Sequence, residues 1–272
     1  MFATTPLLPW SSHGQSACET DSQPLPCSAF SYSMTSTACI NAGAPVPSSY
    51  EGSGKFITLG ENLPAYESGK GGAKGVLIIP DIFGFDHPNV FRFTDRVASM
   101  GYHAVAIDPF IGKPWPLAKF PPKPEDNIGG WLAEQSQAVD PYLSTSISYL
   151  KSQGISNIGS VGFCWGATQS FKLGKDVSLA CAGFHPGGIE LDLIRAIKVP
   201  IMAIPCQGDC KNLPEIIEAV NGMPWAKHAV IERFDDQVHG YMAARGDWND
   251  KATKVRVEQA FTMLEAFLGA HV

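Results

Sequence analysis

The stretch that decides the fold is residues 157–173, NIGSVGFCWGATQSFKL. Its first six residues, NIGSVG, predict a strand, and residues 167–173 predict a helix. Between them, two glycines flank Cys164 two positions before it and two positions after it. A nucleophile on a sharp turn between a strand and a helix needs this spacing, because glycine lets the two backbones pass closely. The stretch therefore predicts a strand–nucleophile–helix turn.

Cys164 is the predicted nucleophile. At the first turn of a helix, unpaired N–H groups and the positive end of the helix dipole stabilise a thiolate. A free thiol ionises near pH 8.5, so this environment and a nearby histidine are needed to make it reactive at neutral pH. The alternative is a buried cysteine that packs as a small apolar side chain in the same turn.

The remainder of the chain from Lys55 alternates between strand and helix patterns. Buried strands separated by helices of ten or more residues predict an α/β fold, with a mostly parallel sheet and helices on both faces. A proline-rich loop is predicted at 109–130. The predicted strands are 75–80, 103–108, 157–162, 179–184, 199–205 and 228–234, and the predicted helices are 89–100, 136–153, 167–173, 213–221 and 250–268.

Length and composition predict one large α/β domain. The 272 residues are 44% hydrophobic and 17% charged, which is ordinary for a globular protein. The net charge of −6 argues against nucleic acid or an anionic membrane as a partner. No apolar run approaches the roughly 20 residues that span a bilayer. The seven cysteines include no CxxC pair of the zinc type, and secretory features are missing, so we expect no metal and a cytoplasmic location.

The first 54 residues differ from the rest. They are rich in Ser, Thr, Pro and Gly and carry three charges, Glu19, Asp21 and Glu51. Such a segment buries little apolar surface. We expect residues 1–38 to be a disordered N-terminal extension and 39–272 to form the single domain, with 39–50 able to lie against it.

His239 is the predicted base. In this type of fold the acid and then the histidine follow the nucleophile along the chain, on loops after later strands. His239 comes after the strand at 228–234 and a short loop. His185 also follows a strand and remains the rival, whereas His228 opens a strand and His271 lies in the terminal tail.

Asp209 is the predicted orienting acid, because it lies in the loop after the strand at 199–205. It would accept the Nδ1–H of the histidine and hold its tautomer. The alternative is an aspartate that caps the following helix. Cys206 and Cys210 flank it, but one CxxxC without a second ligand pair is a weak indication of a metal or redox site.

The predicted oxyanion hole consists of two backbone N–H groups, one from Trp165 and one from Ile82 in the loop PDIFG. Aromatic residues are expected at the mouth of the site, which favours a small, flat, partly apolar ester or lactone. They are Phe83, Phe85, Trp115, Phe163 and Trp165.

Several motifs resemble those of the dienelactone hydrolase family, especially its eukaryotic branch. They are GFCWGA (162–167), PDIFGF (80–85), GYHAVAIDPF (101–110), HPGG (185–188) and HGYMAAR (239–245). The resemblance implies an α/β-hydrolase fold, hydrolysis of an enol-lactone or related ester through an acyl-thioester, and no cofactor. It also implies a triad at Cys164, Asp209 and His239.

The same resemblance implies roles for two further residues. Asp81, where many members have Glu, would help to draw the thiol proton. Arg245 would bind a substrate carboxylate, the alternative being a surface ion pair. The expected partner is a small-molecule ester or lactone, and the expected state is a monomer or small homo-oligomer.

Two other functions stay open. One is a β-glucan hydrolase, the label of some eukaryotic relatives, although no pair of facing carboxylates is evident. The other is a catalytically inactive binding protein with the same fold.

Overall fold

A computed structural model describes residues 37–272, which form an eight-stranded sheet in the order β1-β2-β4-β3-β5-β6-β7-β8. Strands β3 to β8 are parallel, whereas β2 pairs antiparallel with both β1 and β4. The mostly parallel α/β-hydrolase fold is confirmed. The strands are β1 Lys55–Leu59, β2 Leu63–Ser68, β3 Lys74–Ile79, β4 His103–Ile107, β5 Asn157–Phe163, β6 Cys181–Phe184, β7 Ile201–Ile204 and β8 Val230–Ile231.

Helices cover both faces of the sheet. Because side chains alternate along a strand, Val76 and Ile78 of β3 pack on one face with α2 and α8. Leu77 and Ile79 face the opposite side, where α3 to α7 pack. The helices are α1 Thr37–Asn41, α2 Asn89–Ser99, α3 Ile128–Ala138, α4 Asp140–Ser152, α5 Trp165–Leu173, α6 Leu191–Ala196, α7 Leu213–Asn221 and α8 Lys251–His271.

The structure differs from the predicted elements in four places. The helix predicted over 136–153 is divided at Val139 between α3 and α4. Pro141 explains the break, because proline has no N–H to bond back into a preceding turn and is well tolerated at a helix start. The strand predicted at 228–234 is reduced to β8, and the antiparallel pair β1–β2 and the short helix α6 were not predicted.

The segment 39–50 packs against the domain. The Val46 N–H donates to the Ala244 carbonyl at 2.8 Å, and the Val46 carbonyl lies 2.7 Å from Nε2 of His87. Cys39, at the start of this segment, is buried. The expected disorder of residues 1–38 concerns a stretch that lies outside the described residues, apart from its last two positions. From residue 37 onward, no helix is long and apolar enough to cross a membrane.

Candidate active site

Cys164 occupies the turn between β5 and α5 in a strained conformation, with φ 54° and ψ −117°. A Cβ added at Gly162 would lie 2.0 Å from the Gly166 carbonyl oxygen. One added at Gly166 would lie 2.4 Å from the carbonyl oxygens of Ile79 and Pro80. These are impossible contacts, so both flanking positions require glycine, as the spacing predicted.

His239 and Asp209 are hydrogen-bonded in the buried interior. Nδ1 of His239 lies 2.7 Å from Oδ1 of Asp209, and Oδ2 of Asp209 accepts the Cys206 N–H at 2.9 Å. A ring nitrogen of His239 and the Cys164 sulfur are no more than 4.8 Å apart. Because Nδ1 is engaged with Asp209, the nitrogen available to the sulfur is Nε2. The structure therefore brings together the three residues that the sequence predicted.

Cys39 is a fourth member that sequence reasoning missed. Its sulfur, the Cys164 sulfur and a ring nitrogen of His239 all lie within 4.8 Å of one another. Arg245 holds this segment in place, since Nη2 donates to the Cys39 carbonyl at 3.0 Å and Nε donates to the Gly43 carbonyl at 2.8 Å. A single cysteine in a Ser- and Pro-rich stretch gives no local signal of such a position.

The two thiols titrate as a coupled pair. The Cys164 S–H donates to the Cys39 sulfur, and this bond holds the pKa of Cys39 well below its usual value. Burial alone would raise the pKa of Cys39, whereas the charges on His239 and Arg245 lower it further. The pKa of Cys164 lies well above its usual value, because it bonds to Cys39, is buried and faces the charges of Cys39 and Asp81. The pair therefore holds one proton and one negative charge at neutral pH.

His239 is positively charged in this environment. Burial alone would lower its pKa, but the negative charges of Cys39 and Asp209 outweigh burial and raise the pKa to about 10. The thiolate that faces this imidazolium is that of Cys39, so the Cys164 sulfur becomes a nucleophile once its proton has moved to Cys39.

His185, the rival base, lies beside His239 with the ring centroids 4.9 Å apart. Burial, with the charges of His239 and Arg245, keeps its pKa well below the usual value, so its ring is neutral. Within the described part of the chain neither ring nitrogen has a hydrogen-bond partner. His185 thus forms a wall of the site and has no orienting acid.

Asp81 and Arg245 are both buried beside the thiols. Asp81 accepts N–H groups from Phe83 at 3.0 Å and Ala244 at 3.3 Å, and burial raises its pKa. The Arg245 guanidinium lies 4.6 Å from the Phe120 ring centre. The alternative of a surface ion pair for Arg245 is wrong, because the side chain is enclosed and bonds to main-chain oxygens.

Of the predicted oxyanion donors, Trp165 directly follows Cys164 in the chain, and Ile82 belongs to the same buried cluster as Cys164. Among the described residues, the backbone N–H groups of Ile82 and Trp165 have no hydrogen-bond acceptor. The Trp165 indole donates to Ser136 Oγ at 2.8 Å. Backbone N–H groups without an acceptor are the kind of donor that an oxyanion hole uses.

The aromatic residues expected at the mouth divide between the two faces of the sheet. Phe83, Trp115 and Trp165 belong to the apolar cluster that contains both thiols. Phe163 and Phe85 pack on the opposite face, so their predicted position was wrong. Alternation along the strand explains Phe163, because residues adjacent to the turn point to opposite sides.

Comparison with known proteins gives a consistent family match. A family profile described as "Dienelactone hydrolase family" matches residues 63–271. The carboxymethylenebutenolidase homolog of Homo sapiens is 29% identical over 235 residues, covering 82% of this chain and 93% of the human protein. An endo-1,3;1,4-beta-D-glucanase of Zea mays is 28% identical over 182 residues, covering 65% of this chain and 57% of the maize protein.

Solved structures support the fold. A Klebsiella pneumoniae protein assigned as a dienelactone hydrolase superposes with a TM-score of 0.63 at 15% identity, covering 79% of this chain and 97% of the other. The esterase Pf2001 of Pyrococcus furiosus superposes with a TM-score of 0.56 at 16% identity, covering 84% and 99%. At this level of identity the two structures are similar in architecture.

Proposed function

Because the chain belongs to the dienelactone hydrolase family, a group of hydrolases of small esters and lactones, we propose that it hydrolyses a carboxylic ester or lactone through Cys164. In this proposal His239 is the acid–base residue and Asp209 orients it. The observation that carries the proposal is the contact between a cysteine on a strained strand–helix turn and a buried His–Asp pair. No cofactor is needed for this chemistry.

The first half of the proposed cycle forms an acyl-thioester. Cys164 passes its proton to the Cys39 thiolate as its sulfur attacks the carbonyl carbon, and the N–H groups of Ile82 and Trp165 bind the oxyanion. The C–O bond to the leaving oxygen then breaks, and the His239 imidazolium gives its proton to that oxygen. A lactone ring opens in this step, with the leaving alcohol or enol still attached to the acyl group.

The second half restores the enzyme. Neutral His239 takes a proton from water, and the resulting hydroxide attacks the thioester carbonyl. Collapse of this second tetrahedral intermediate expels the Cys164 thiolate, which takes its proton back from Cys39, and releases the carboxylic acid. Asp209 accepts the Nδ1–H throughout, so that Nε2 stays directed at the reacting atoms.

We assign Arg245 to activation of the thiols, since its positive charge favours the ionised form of both. Three of its five N–H donors are directed at the carbonyls of Gly43, Cys39 and His239. The other two, on Nη1 and Nη2, contact the Cys39 sulfur at 4.0 and 3.9 Å, so Arg245 would have to give up one of these bonds to hold a substrate carboxylate. Asp81 is proposed to help to draw the proton from the thiol, because its charge acts on Cys164.

The test compares turnover of p-nitrophenyl acetate and an enol-lactone by wild type, Cys164→Ser and His239→Ala. We expect each variant to lose roughly 10⁴-fold or more in kcat, because residues of one triad act as a unit. Cys181→Ser, a buried cysteine in β6 far along the sheet, is the matched control and should keep full activity. Wild-type turnover in Cys164→Ala would refute the proposal.

An inactive binding protein of the same fold is distinguished by thiol reactivity. Iodoacetamide should react rapidly near pH 7 with the thiol pair and abolish turnover, whereas a merely structural cysteine should react slowly. Complete lack of esterase activity in the reduced wild-type protein, together with slow alkylation, would favour the binding protein.

The glucanase name of the maize relative suggests glycoside hydrolysis as a rival activity. Glycosidases need two carboxylates that flank the scissile bond. Here Asp209 is bonded to His239 and the Cys206 N–H, and Asp81 accepts two backbone N–H groups. These bonds favour the ester reaction. Glucan hydrolysis that survives in Cys164→Ala would support the rival.

A further inference from the structure

We propose that Cys39, Cys164 and His239 form a binding site for a soft divalent cation, with Zn²⁺ as the best match, and that the bound cation switches hydrolysis off. Hydrolysis needs only one nucleophilic sulfur, whereas the site places two sulfurs and an imidazole nitrogen together. The inhibitory half of this inference rests on the proposed function. The binding half stands on the three donor atoms alone.

The donor set and its spacing suit zinc. Two thiolate sulfurs and one imidazole nitrogen are the ligands of a known class of catalytic zinc site that leaves its fourth position open. With Zn–S near 2.3 Å and Zn–N near 2.0 Å, tetrahedral donors lie roughly 3.5–4 Å apart. The three atoms here are already within 4.8 Å of one another. Shifts of about an ångström would close them around a cation.

His239 is oriented as a metal-binding histidine is. Ligand histidines usually donate their second ring N–H to a carboxylate, which fixes the tautomer and makes the other nitrogen a better donor. The bond of 2.7 Å to Asp209 has this form. The opposite nitrogen, Nε2, is buried and faces the two sulfurs, and the imidazole is hydrogen-bonded to the Cys39 sulfur.

The charges around the site balance for a dication. Burying a charge is costly unless opposite charges compensate for it. The negative charges of two thiolates and Asp209 equal the positive charges of the dication and Arg245. Nη2 of Arg245 lies 3.9 Å from the Cys39 sulfur. Arg245 repels the cation, but it also favours ionised thiols, which are the forms that bind metal.

Other buried cysteines of the described domain lack these features. Burial raises the pKa of Cys181 and of Cys210 to about 12, so their thiols stay protonated at neutral pH. The Cys210 S–H donates to the Pro186 carbonyl at 3.3 Å. Cys181 therefore serves as the control cysteine in the metal titrations as well.

The binding test is a titration of the full-length, reduced protein with CoCl₂, followed by ZnCl₂ competition. We expect intense near-ultraviolet bands from sulfur-to-cobalt charge transfer and visible bands typical of tetrahedral cobalt. Cys39→Ser should lose about half of the charge-transfer intensity and bind Zn²⁺ on the order of 100-fold more weakly, because even the loss of a ligand's hydrogen-bond partner costs ~10–100-fold. Circular dichroism checks that each variant is folded.

Two controls isolate the site. Cys181→Ser and the double variant Cys18→Ser/Cys27→Ser, which removes the thiols of the N-terminal segment, should bind cobalt as wild type does. Titration curves that are the same for wild type and Cys39→Ser, or the lack of charge-transfer bands in wild type, would overturn the metal site.

The inhibition test measures esterase turnover in EDTA and in buffered Zn²⁺. Wild-type turnover should fall as the site fills and return on chelation, and Cys39→Ser should need on the order of 100-fold more Zn²⁺ for the same loss. Turnover that rises with Zn²⁺ would overturn the inhibitory role. If wild type shows cobalt bands but no turnover in EDTA, the proposed hydrolase fails and the metal site stands. If it shows turnover in EDTA but no cobalt bands, the metal site fails and the proposed hydrolase stands.

Discussion

The molecule contains two buried carboxylate–histidine pairs of nearly the same geometry. In the site pair, Asp209–His239, the oxygen and nitrogen are 2.7 Å apart. In the edge pair, Glu67–His103, the same distance is 2.7 Å. All four side chains are buried. A search for carboxylate–histidine contacts would therefore select both.

The surroundings of the two pairs differ. The site pair lies against the sulfurs of Cys39 and Cys164. The edge pair lies against the Tyr149 hydroxyl and the ammonium group of Lys55, with no thiol among its partners in the described chain.

The pairs also differ in where the chain carries them. Asp209 and His239 are in loops that follow parallel strands, at the carboxyl ends where sites in open α/β sheets form. Glu67 and His103 lie within the neighbouring strands β2 and β4. The carboxylate–histidine hydrogen bond alone therefore does not indicate catalysis. The site pair is the candidate catalyst because sulfur atoms lie beside it at the carboxyl ends of the parallel strands.

The largest expected effect is on activity, which should depend on Asp209 and hardly at all on Glu67. Asp209→Asn keeps the size of the side chain but cannot hold the correct histidine tautomer, and comparable changes cost roughly 10⁴-fold in kcat. We expect a loss on the order of 10³–10⁴-fold in kcat/KM for p-nitrophenyl acetate. Glu67→Gln should stay within about threefold of wild type at a temperature where it is folded. Equal losses would mean that the edge pair also supports catalysis.

The next largest effect is the contribution of Glu67 to the free energy of unfolding. Burial alone would raise the pKa of Glu67, but Lys55, Tyr149 and His103 outweigh burial and lower it to about 2. A lowered carboxyl pKa stabilises the fold above the unfolded value near 4.5, and this contribution is lost as the pH falls towards 2. Glu67→Gln should reduce the free energy of unfolding by up to about 3 kcal/mol at pH 7.

Urea denaturation at several pH values measures this contribution. The difference between wild type and Glu67→Gln should shrink below pH 4.5. A difference that is constant from pH 7 to pH 3.5 would show that packing, and not the ionised carboxylate, accounts for the loss.

Much of the site pair could be predicted from sequence, because its signals are local. Glycines around Cys164 mark a turn whose steric demands only glycine meets. Asp209 and His239 each follow an apolar run, and the order of strand ends in a parallel sheet brings such loops together. The parallel strands were likewise evident as continuous apolar runs.

The edge pair and Cys39 could not be predicted, because long-range contacts create them. Glu67 lies in the antiparallel strand β2, which has no strong pattern and is next to the edge strand β1, and its partner His103 opens a different strand. Cys39 depends on hydrogen bonds from Arg245, 206 residues away in the chain. A buried position in a polar, proline-rich segment leaves no periodic trace in the sequence.

A smaller effect tests whether the site histidine activates the thiols. Removing the His239 cation should raise the pKa of Cys39, which it now helps to lower. A higher pKa leaves less of Cys39 as thiolate at pH 7, so His239→Gln should slow alkylation by iodoacetamide. His103→Gln is the matched control and should leave the rate unchanged. Mass spectrometry of peptides assigns the rate to Cys39 or Cys164.

The smallest expected effect concerns the salt bridge of the edge pair. Lys55 Nζ lies 2.7 Å from Glu67 Oε2, but the lysine side chain is 61% exposed, so water and salt screen the attraction. Lys55→Met should cost about 0.5 kcal/mol or less in urea denaturation at pH 7. The buried bonds from Tyr149 and His103 to the same carboxylate stay in place.

Lys55→Met should also shift the acid unfolding midpoint slightly upward, because Lys55 is the largest of the contacts that lower the pKa of Glu67. Adding 1 M NaCl should remove most of the difference between wild type and Lys55→Met at pH 7, since the Debye length is then about 3 Å. If Lys55→Met instead cost as much as Glu67→Gln, and salt did not reduce that cost, the edge pair would depend on its exposed cation. The contrast with the site pair would then rest on solvent access as well as on the neighbouring thiols.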